Sequence, residues 1–449
     1  MQIFSDFFCI YAYFFVNLRH ILVTMRKNWL FLVLLVAVQS VFSTERVSLE
    51  QLQADWSRYT DRMVEVTTPL VVCGSFYDSL ILAPQRLFCP EERAEGLAKG
   101  DSTAYWRMVE HNRASSICIH CRNNYYEVRT GDVVKGFKAR VTGARHFVSG
   151  QGVKTRHRSM PRLPKAQKGT LRIVGANIEN YFADLGGYAT RKTTPAQQAM
   201  KTRKLMSALK TMKADVYAFC EMQVGDKAPQ MLLAELNKRG DKYAFAAMPM
   251  ENMDRIGGCI VYNKERVRVY ERPLSAYTDS MNHYYARMFA IGLEERASGE
   301  KMILSLNHFK SKRPGRGNYD THLKRMQNVD SLLTMLPLAV QLYGDSDILL
   351  LGDYNCYTQE APIQTIVQAG YADQLPLGGE SDYSYSFKGE AGYLDRCFAS
   401  PSMSKQVVSV MPWHINADWY YSHGAYKLRD KSMHRYADHD PIVVDVKLR

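Results

Sequence analysis

Short apolar runs punctuate the chain from Leu171 onward. LRIVGANI, DVYAFCE, GGCIVYN, MILSLNH, ILLLGDYN and PIVVDVKL follow one another, and most of them end in polar residues. Runs of this length, bounded by polar or turn-forming residues, predict strands. Between the first two, Ala199, Met200, Leu205, Leu209 and Met212 recur at roughly the helical period, which predicts a helix within 196–213. Strands alternating with helices across 170–449 predict an α/β domain.

Upstream the rhythm differs. Val64–Val72 is mostly apolar, Arg113–His120 is mixed, and GDVVKGFKARVTGAR (131–145) alternates, with glycines at its turns. The last stretch predicts two short strands with bulges or tight turns. Residues 45–148 thus form a small β-rich domain with the pattern of an OB-like barrel, whose open face often binds oligonucleotides. A purely structural accessory domain fits the same pattern. Residues 149–169 carry Lys154, Arg156, Arg158, Arg162, Lys165 and Lys168, two prolines and no acidic residue, and read as a basic linker. Such a linker can also track phosphates without sequence preference.

Length and charge sharpen this picture. At 449 residues the chain holds two or three domains, and its apolar content of 46% is that of a globular protein. A formal net charge of +13 points to a polyanionic partner, with solubility as the plain alternative. Arg26 and Lys27 precede the apolar run Leu30–Val38, and Val41-Phe42-Ser43 offers small residues before a cut after Ser43. Residues 1–43 therefore read as a signal region whose true start is Met25, and the protein as exported, either secreted or periplasmic. The apolar run is too short to span a bilayer, so no membrane anchor is expected. Eight cysteines follow the signal, an even number that allows disulfides without fixing their pairing. The pair Cys118 and Cys121 could mimic a redox or zinc half-site, but no second CxxC accompanies it.

The polar residues that close the strands share a character. Asn177 and Glu179, Glu221, His308, and Asp353 with Asn355 each follow an apolar run. Any one of them alone would be an ordinary strand end or turn. As a set, they suggest a hard-cation site beside an acid–base pair. Mg²⁺ takes oxygen ligands, keeps several waters and uses one or two carboxylates. A metal so held polarises a phosphoryl oxygen while a nearby base activates water. No GxSxG elbow supports a serine hydrolase, and no HxxxH or paired CxxC a zinc enzyme.

In order, ANIENYF (176–182), AFCEMQ (218–223), NHFKSK (307–312), GDYN (352–355), GYLDR (392–396) and ADHDP (437–441) resemble the motifs of the endonuclease/exonuclease/phosphatase superfamily. That superfamily includes pancreatic-type deoxyribonucleases, abasic-site endonucleases, bacterial sphingomyelinases and inositol-phosphate 5-phosphatases. The likeness is strongest to secreted bacterial nucleases. It implies a four-layer α/β sandwich, two mixed sheets face to face with helices outside. It also implies Glu221 as the main metal carboxylate, with Asn177 lining the site and Asp438 and Glu179 near it. Asp353 resembles the residue that orients or deprotonates water, and Asn355 one that holds the scissile phosphate. His308 matches a histidine that contacts phosphate or serves as an acid. Asp395 resembles the carboxylate that orients the terminal histidine, His439. Arg287 is a phosphate contact, with Tyr285 and Lys310 as further candidates. The implied cofactor is Mg²⁺, with Mn²⁺ or Ca²⁺ as alternatives. Asp440 and Pro441 merely launch the last strand. Two positions depart from the pattern, Ala437 for the usual Ser and Cys220 for the usual Gln, and neither removes a catalytic group.

These features predict a metal-dependent nuclease acting as a monomer on nucleic acid, DNA before RNA, with no stable protein partner. Two alternatives stay open: a phosphoesterase of the same superfamily acting on phospholipid head groups or sugar phosphates, and an inactive nucleic-acid-binding protein.

Overall fold

The computed structural model describes residues 44–449 apart from 77, 122–127, 161, 187–192, 249–254, 278–283, 314–319, 376–382 and 420–431. The expected signal region and its start at Met25 lie outside the described residues.

In the N-terminal unit the strands are β1 (Met63–Val66), β2 (Leu70–Ser75), β3 (Ser79–Ala83), β4 (Ile117–Cys121), β5 (Phe137–Gly143) and β6 (His146–Ser149). They pair in the order β1-β5-β6-β4-β3-β2. Three short strands extend this order, Glu45–Val47 beside β1, and Val133–Val134 then Thr155–Arg156 beyond β2. Glu45–Val47 pairs in parallel with β1, and β4 with β6; the other pairs among the described strands of this sheet are antiparallel. The alternation read in 131–145 is borne out in β5, which buries Phe137, Ala139 and Val141 and exposes the residues between them. Those side chains join Val64, Val72, Leu82, Ile119 and Phe147 in a core of their own. Arg113 belongs to no strand: it closes the helix α1 (Thr103–Ser115) that leads into β4.

From Leu171 the chain forms β7 (Leu171–Tyr181), β8 (Val216–Gln223), β9 (Tyr243–Ala247), β10 (Ile256–Asn263), β11 (Val267–Tyr277), β12 (Tyr284–Glu295), β13 (Lys301–His308), β14 (Ile348–Asp353), β15 (Ala372–Asp373), β16 (Asp395–Ala399), β17 (Val407–Pro412) and β18 (Ile442–Val446). One sheet runs β9-β10-β8-β7-β18-β17 and the other β11-β12-β13-β14-β16-β15. Both are mixed: β7 lies parallel to β8 and antiparallel to β18, and β13 lies parallel to β14.

Ile173, Ala218, Ile260, Ile291, Leu304, Leu306, Leu351 and Val444 fill the space between the sheets. On the outside of the first sheet, helices α2 (Pro195–Met212) and α3 (Lys227–Leu236) press Leu205, Leu209, Met212 and Leu232 onto Val174, Tyr217 and Phe219. On the outside of the second, α4 (Thr321–Tyr343) and α5 (Ala361–Gln368) set Val329, Leu332, Leu336 and Ile363 against Ile303, Leu350 and Phe398. The result is a four-layer α/β sandwich. Strands covered on both faces need apolar residues at every position, which explains the unbroken runs of the sequence. The sheets approach closely where side chains are small. A Cβ on Gly175 would lie 2.6 Å from Leu351 Cγ of the opposite sheet.

The N-terminal unit is built into the sandwich. Residues Leu87–Phe88 add in parallel to the hairpin Tyr385–Phe387 and Glu390–Gly392. Buried Glu92 accepts the Tyr393 N–H at 3.1 Å and pairs with Arg396 at 3.5 Å. The basic stretch 149–169 joins the two units and is docked at its centre. Arg158 pairs with buried Asp418 and bonds the Tyr383 hydroxyl at 3.0 Å, while His157 meets Asp132 at 2.8 Å.

Candidate active site

The site forms where strands of both sheets end together. Register sets His308 beside Asp353 across the parallel pair β13–β14, and Asp353 beside Asp395 across the antiparallel pair β14–β16. In the other sheet β7 bulges against β8 between Asn177 and Tyr181, and β8 bulges against β10 between Phe219 and Met222. Glu179, Asn180, Glu221 and Asn355 all have left-handed backbones, with φ of 48°, 53°, 63° and 49°. Left-handed backbone is costly for such residues and gathers at functional sites. At Gly352, φ is 141° and a Cβ would run into the Asn307 carbonyl oxygen, so only glycine lets β14 deliver Asp353 here.

Asn177 sits between the carboxylates. Its Nδ2 donates to Glu221 Oε1 at 3.2 Å and to Asp353 Oδ2 at 3.0 Å, while its Oδ1 accepts the Glu179 N–H at 2.8 Å. The residue implied as lining a metal thus acts as a bridge, turning its amide nitrogen to both acids. Asn180 N–H holds Glu221 Oε2 at 2.8 Å. Asn355 secures Asp353 twice, by its backbone N–H at 2.8 Å and its Nδ2 at 3.1 Å. His308 Nε2 lies 3.9 Å from Glu221 and 3.7 Å from Asp353. On the other flank His439 Nδ1 meets Asp395 Oδ2 at 2.7 Å.

Electrostatics separate the two histidines. Burial, helped by the charges of Arg287, His439 and Lys310, holds His308 well below the ordinary histidine range. That low proton affinity favours the neutral imidazole, which suits a hydrogen bond to phosphate. Burial acts the same way on His439, but Asp395 and Asp353 outweigh it and hold the ring well above that range. Asp353 is pushed up to about 7, chiefly by burial and then by Asp395 and Glu221, against the opposing charge of His439.

Ligand-competent atoms form two trios, Glu221–His308–Asp353 and Asp353–Asp395–His439, each within 4.8 Å. In the second, a cationic His439 offsets one of the two carboxylates. In the first, two carboxylates face a neutral, buried His308 whose Nδ1 has no hydrogen-bond partner among the described residues. That excess of negative charge fits a divalent cation, which Glu221 would hold, with Asp353 beside it to act on water. Glu179 and Asp438 belong to neither trio. Glu179 is buried, and its carbonyl accepts from Lys201 Nζ. Asp438 is half-buried; burial pushes its carboxyl up, but His439 and Arg435 prevail and hold it low. Arg287 and Lys310 place their charges on His308. The side chain of Tyr285 lies outside the described residues.

The sequence reading missed what supports His439. The Tyr385 ring lies 4.6 Å from the imidazole at 32°. Ser384 Oγ accepts the Asp395 N–H at 3.0 Å, and the Ser384 carbonyl accepts the Asp440 N–H at 2.8 Å. Asp440 does more than launch a strand. Fully buried, it meets His414 Nδ1 at 2.9 Å and accepts the Asn416 N–H at 2.7 Å; Asn416 in turn donates to the His439 carbonyl at 2.7 Å. In sequence, SDYSYSF shows only a polar turn, and nothing in it marks these roles.

A model of the Endonuclease/Exonuclease/phosphatase family matches residues 176–439, a span that begins one residue before Asn177 and ends on His439. The chain belongs to that family. Its members hydrolyse phosphoester bonds and typically depend on a divalent metal, in keeping with the two trios. None of the curated proteins compared with the chain matches it. Among solved structures, the chain is similar to the human Nocturnin catalytic domain with bound sulfate, at 15% identity over 63% of this chain and 94% of that one, TM-score 0.43. It is also similar to an endonuclease/exonuclease/phosphatase from Bacteroides vulgatus, at 15% identity over 63% and 100%, TM-score 0.44. A third is D. rerio TDP2 complexed with a single strand DNA product, at 18% over 62% and 99%, TM-score 0.41. Cys220, where the family usually has Gln, points into the core between the sheets, with its thiol held high by burial. Ala437 is buried on the outer side of the first sheet.

Proposed function

We propose that this family member is an exported, metal-dependent nuclease that hydrolyses phosphodiester bonds of DNA, and of RNA where presented. The observation that carries hydrolysis is the junction at Asp353, shared by a charge-deficient trio and an acid–base trio. A bound divalent cation would polarise a phosphoryl oxygen and offset its charge. Asp353, with a proton affinity near neutral, orients the attacking water and takes its proton. As the water oxygen bonds to phosphorus, the P–O bond to the leaving group breaks. His439, kept cationic by Asp395, stabilises the equatorial oxygens or protonates that leaving oxygen. Neutral His308 and cationic Arg287 and Lys310 bind phosphate; Asn355 keeps Asp353 in place.

The substrate class rests on charge. The net +13, the exposed Lys154, Arg156, Arg162, Lys165 and Lys168, and Lys310 and Arg313 after His308 favour a long polyanion. The N-terminal unit, a β-rich sheet with an apolar core of its own, is a candidate second surface for an oligonucleotide. Among the described residues no helix is long and apolar enough to cross a membrane.

The test is incubation of the protein with plasmid DNA, RNA and sphingomyelin, in Mg²⁺ or EDTA, beside His439→Ala. Metal-dependent nucleic-acid cleavage absent from the variant supports the proposal. Cleavage of the lipid alone shifts it to a head-group phosphoesterase. No turnover of any of the three sinks the enzymatic reading.

A further inference from the structure

A second cluster of metal-binding side chains lies in the N-terminal unit, on a sheet that contributes nothing to the catalytic trios. Cys118, His120 and His146 bring one ligand atom each within 4.8 Å of the others. Strand geometry explains the grouping. Cys118 and His120 stand two apart on β4 and share a face, whereas Cys121, which completes the CxxC spelling, falls on the other face and is buried in the core of this unit. His146 is the register partner of Cys118 on the parallel strand β6. The CxxC reading thus dissolves, and Cys-x-His with a cross-strand histidine takes its place.

From this arrangement we propose that Cys118, His120 and His146 form a binding site for a borderline-soft divalent cation of the Zn²⁺ class, which staples β4 to β6. The donor set is the one such ions prefer, one sulfur and two imidazole nitrogens, and differs from the oxygen-rich catalytic trio. Distances are close to those required. Cys118 Sγ and His120 Nε2 are 4.0 Å apart. Around a tetrahedral zinc, usual bond lengths set such a pair about 3.6 Å apart. A small χ adjustment closes that gap, because both histidines are exposed and free to turn. The Asp78 carboxylate adds negative charge beside the same thiol. Three protein ligands leave the fourth position to water. Of the eight cysteines after the expected signal, seven are buried, so among the described residues Cys118 alone offers a thiol near the surface.

Co²⁺ serves as the probe, titrated into the metal-free full-length protein under reducing conditions, with excess Mg²⁺ to occupy oxygen sites. We expect one equivalent to bind with an intense thiolate-to-cobalt charge-transfer band. Cys118→Ser abolishes the band, His120→Ala and His146→Ala each weaken Co²⁺ binding at least tenfold, and Glu221→Gln leaves the band unchanged. Zn²⁺ raises the melting temperature of the parent and not of Cys118→Ser. A band that survives Cys118→Ser, or Co²⁺ affinity indifferent to both histidines, overturns the site. The result is independent of the nuclease reading, because Mg²⁺-dependent hydrolysis persists in Cys118→Ser under either outcome.

Discussion

His439 and Glu221 divide the chemistry at the scale of single residues. His439 is charged because Asp395 and Asp353 outweigh the cost of burying it. Its protonated form therefore survives as pH rises past about 6.5, the free histidine value, and activity that needs this proton fades only above that. Asp395→Asn removes the nearer carboxylate. We expect kcat to fall about 10²- to 10⁴-fold and the alkaline limb of the pH profile to move down toward about 6.5. An alkaline limb that does not move would mean that His439 is not the titrating acid. Glu221 is tested by stability. In the parent, Mg²⁺ at a hundred times its Kd for the proposed site should raise folding stability by about 2.7 kcal/mol. Thermal melts of Glu221→Gln should show little or no such gain. A full gain in the variant would place the cation elsewhere.

The short hairpin at Tyr385–Gly392 decides more than its length suggests. It carries Tyr385 against His439, and its outer strand is completed by residues Leu87–Phe88 of the N-terminal unit. Next to that junction Glu92 and Asp373 both reach Arg396, a fully buried guanidinium one residue beyond Asp395. Removing Glu92 leaves Arg396 with Asp373 alone and strips the buried Tyr393 N–H and Thr358 of their acceptor, which is destabilising. Glu92→Ala should cost about 3 kcal/mol in urea unfolding. Because Arg396 adjoins Asp395, it should also lower kcat more than KM. A variant with full activity and parent stability would show that the joint is ornamental.

Across the whole molecule, the basic stretch 149–169 divides into two kinds of residue. Arg158 is docked on Asp418 and Tyr383, whereas Lys165 and Lys168 are exposed. In duplex-binding titrations over a salt series, Lys165→Ala and Lys168→Ala should each reduce the log–log slope by about 1. Arg158→Ala should instead unfold at lower urea, since it takes from buried Asp418 its nearest cation and leaves it Arg86 at 3.8 Å and the Tyr383 hydroxyl. A catalytic half expressed from residue 170 onward would expose the hairpin edge and the Arg396 charge. We expect it to be insoluble or inactive, although it holds every residue of both trios.

The sequence by itself determined the sandwich and most of its chemistry. Strands covered on both faces require continuous apolar runs, so LRIVGANI or ILLLGDYN could be read without a partner, and the groups that close them follow in line. Family motifs then set Glu221, Asp353, Asp395 and His439 in order. Only the tertiary structure decided which acids share a proton or a cation, because those depend on burial and on neighbours remote in sequence. For His308 the motif allowed a phosphate contact or an acid, and its full burial, which lowers its proton affinity, favours the phosphate contact. Asp440 looked like a turn until His414 and Asn416 closed on it. Cys118 and His146 lie far apart in the chain, and only the parallel register of β4 and β6 sets them side by side. Local patterns fix which segments are strands; side-chain charge and partnership are settled by packing across distant segments.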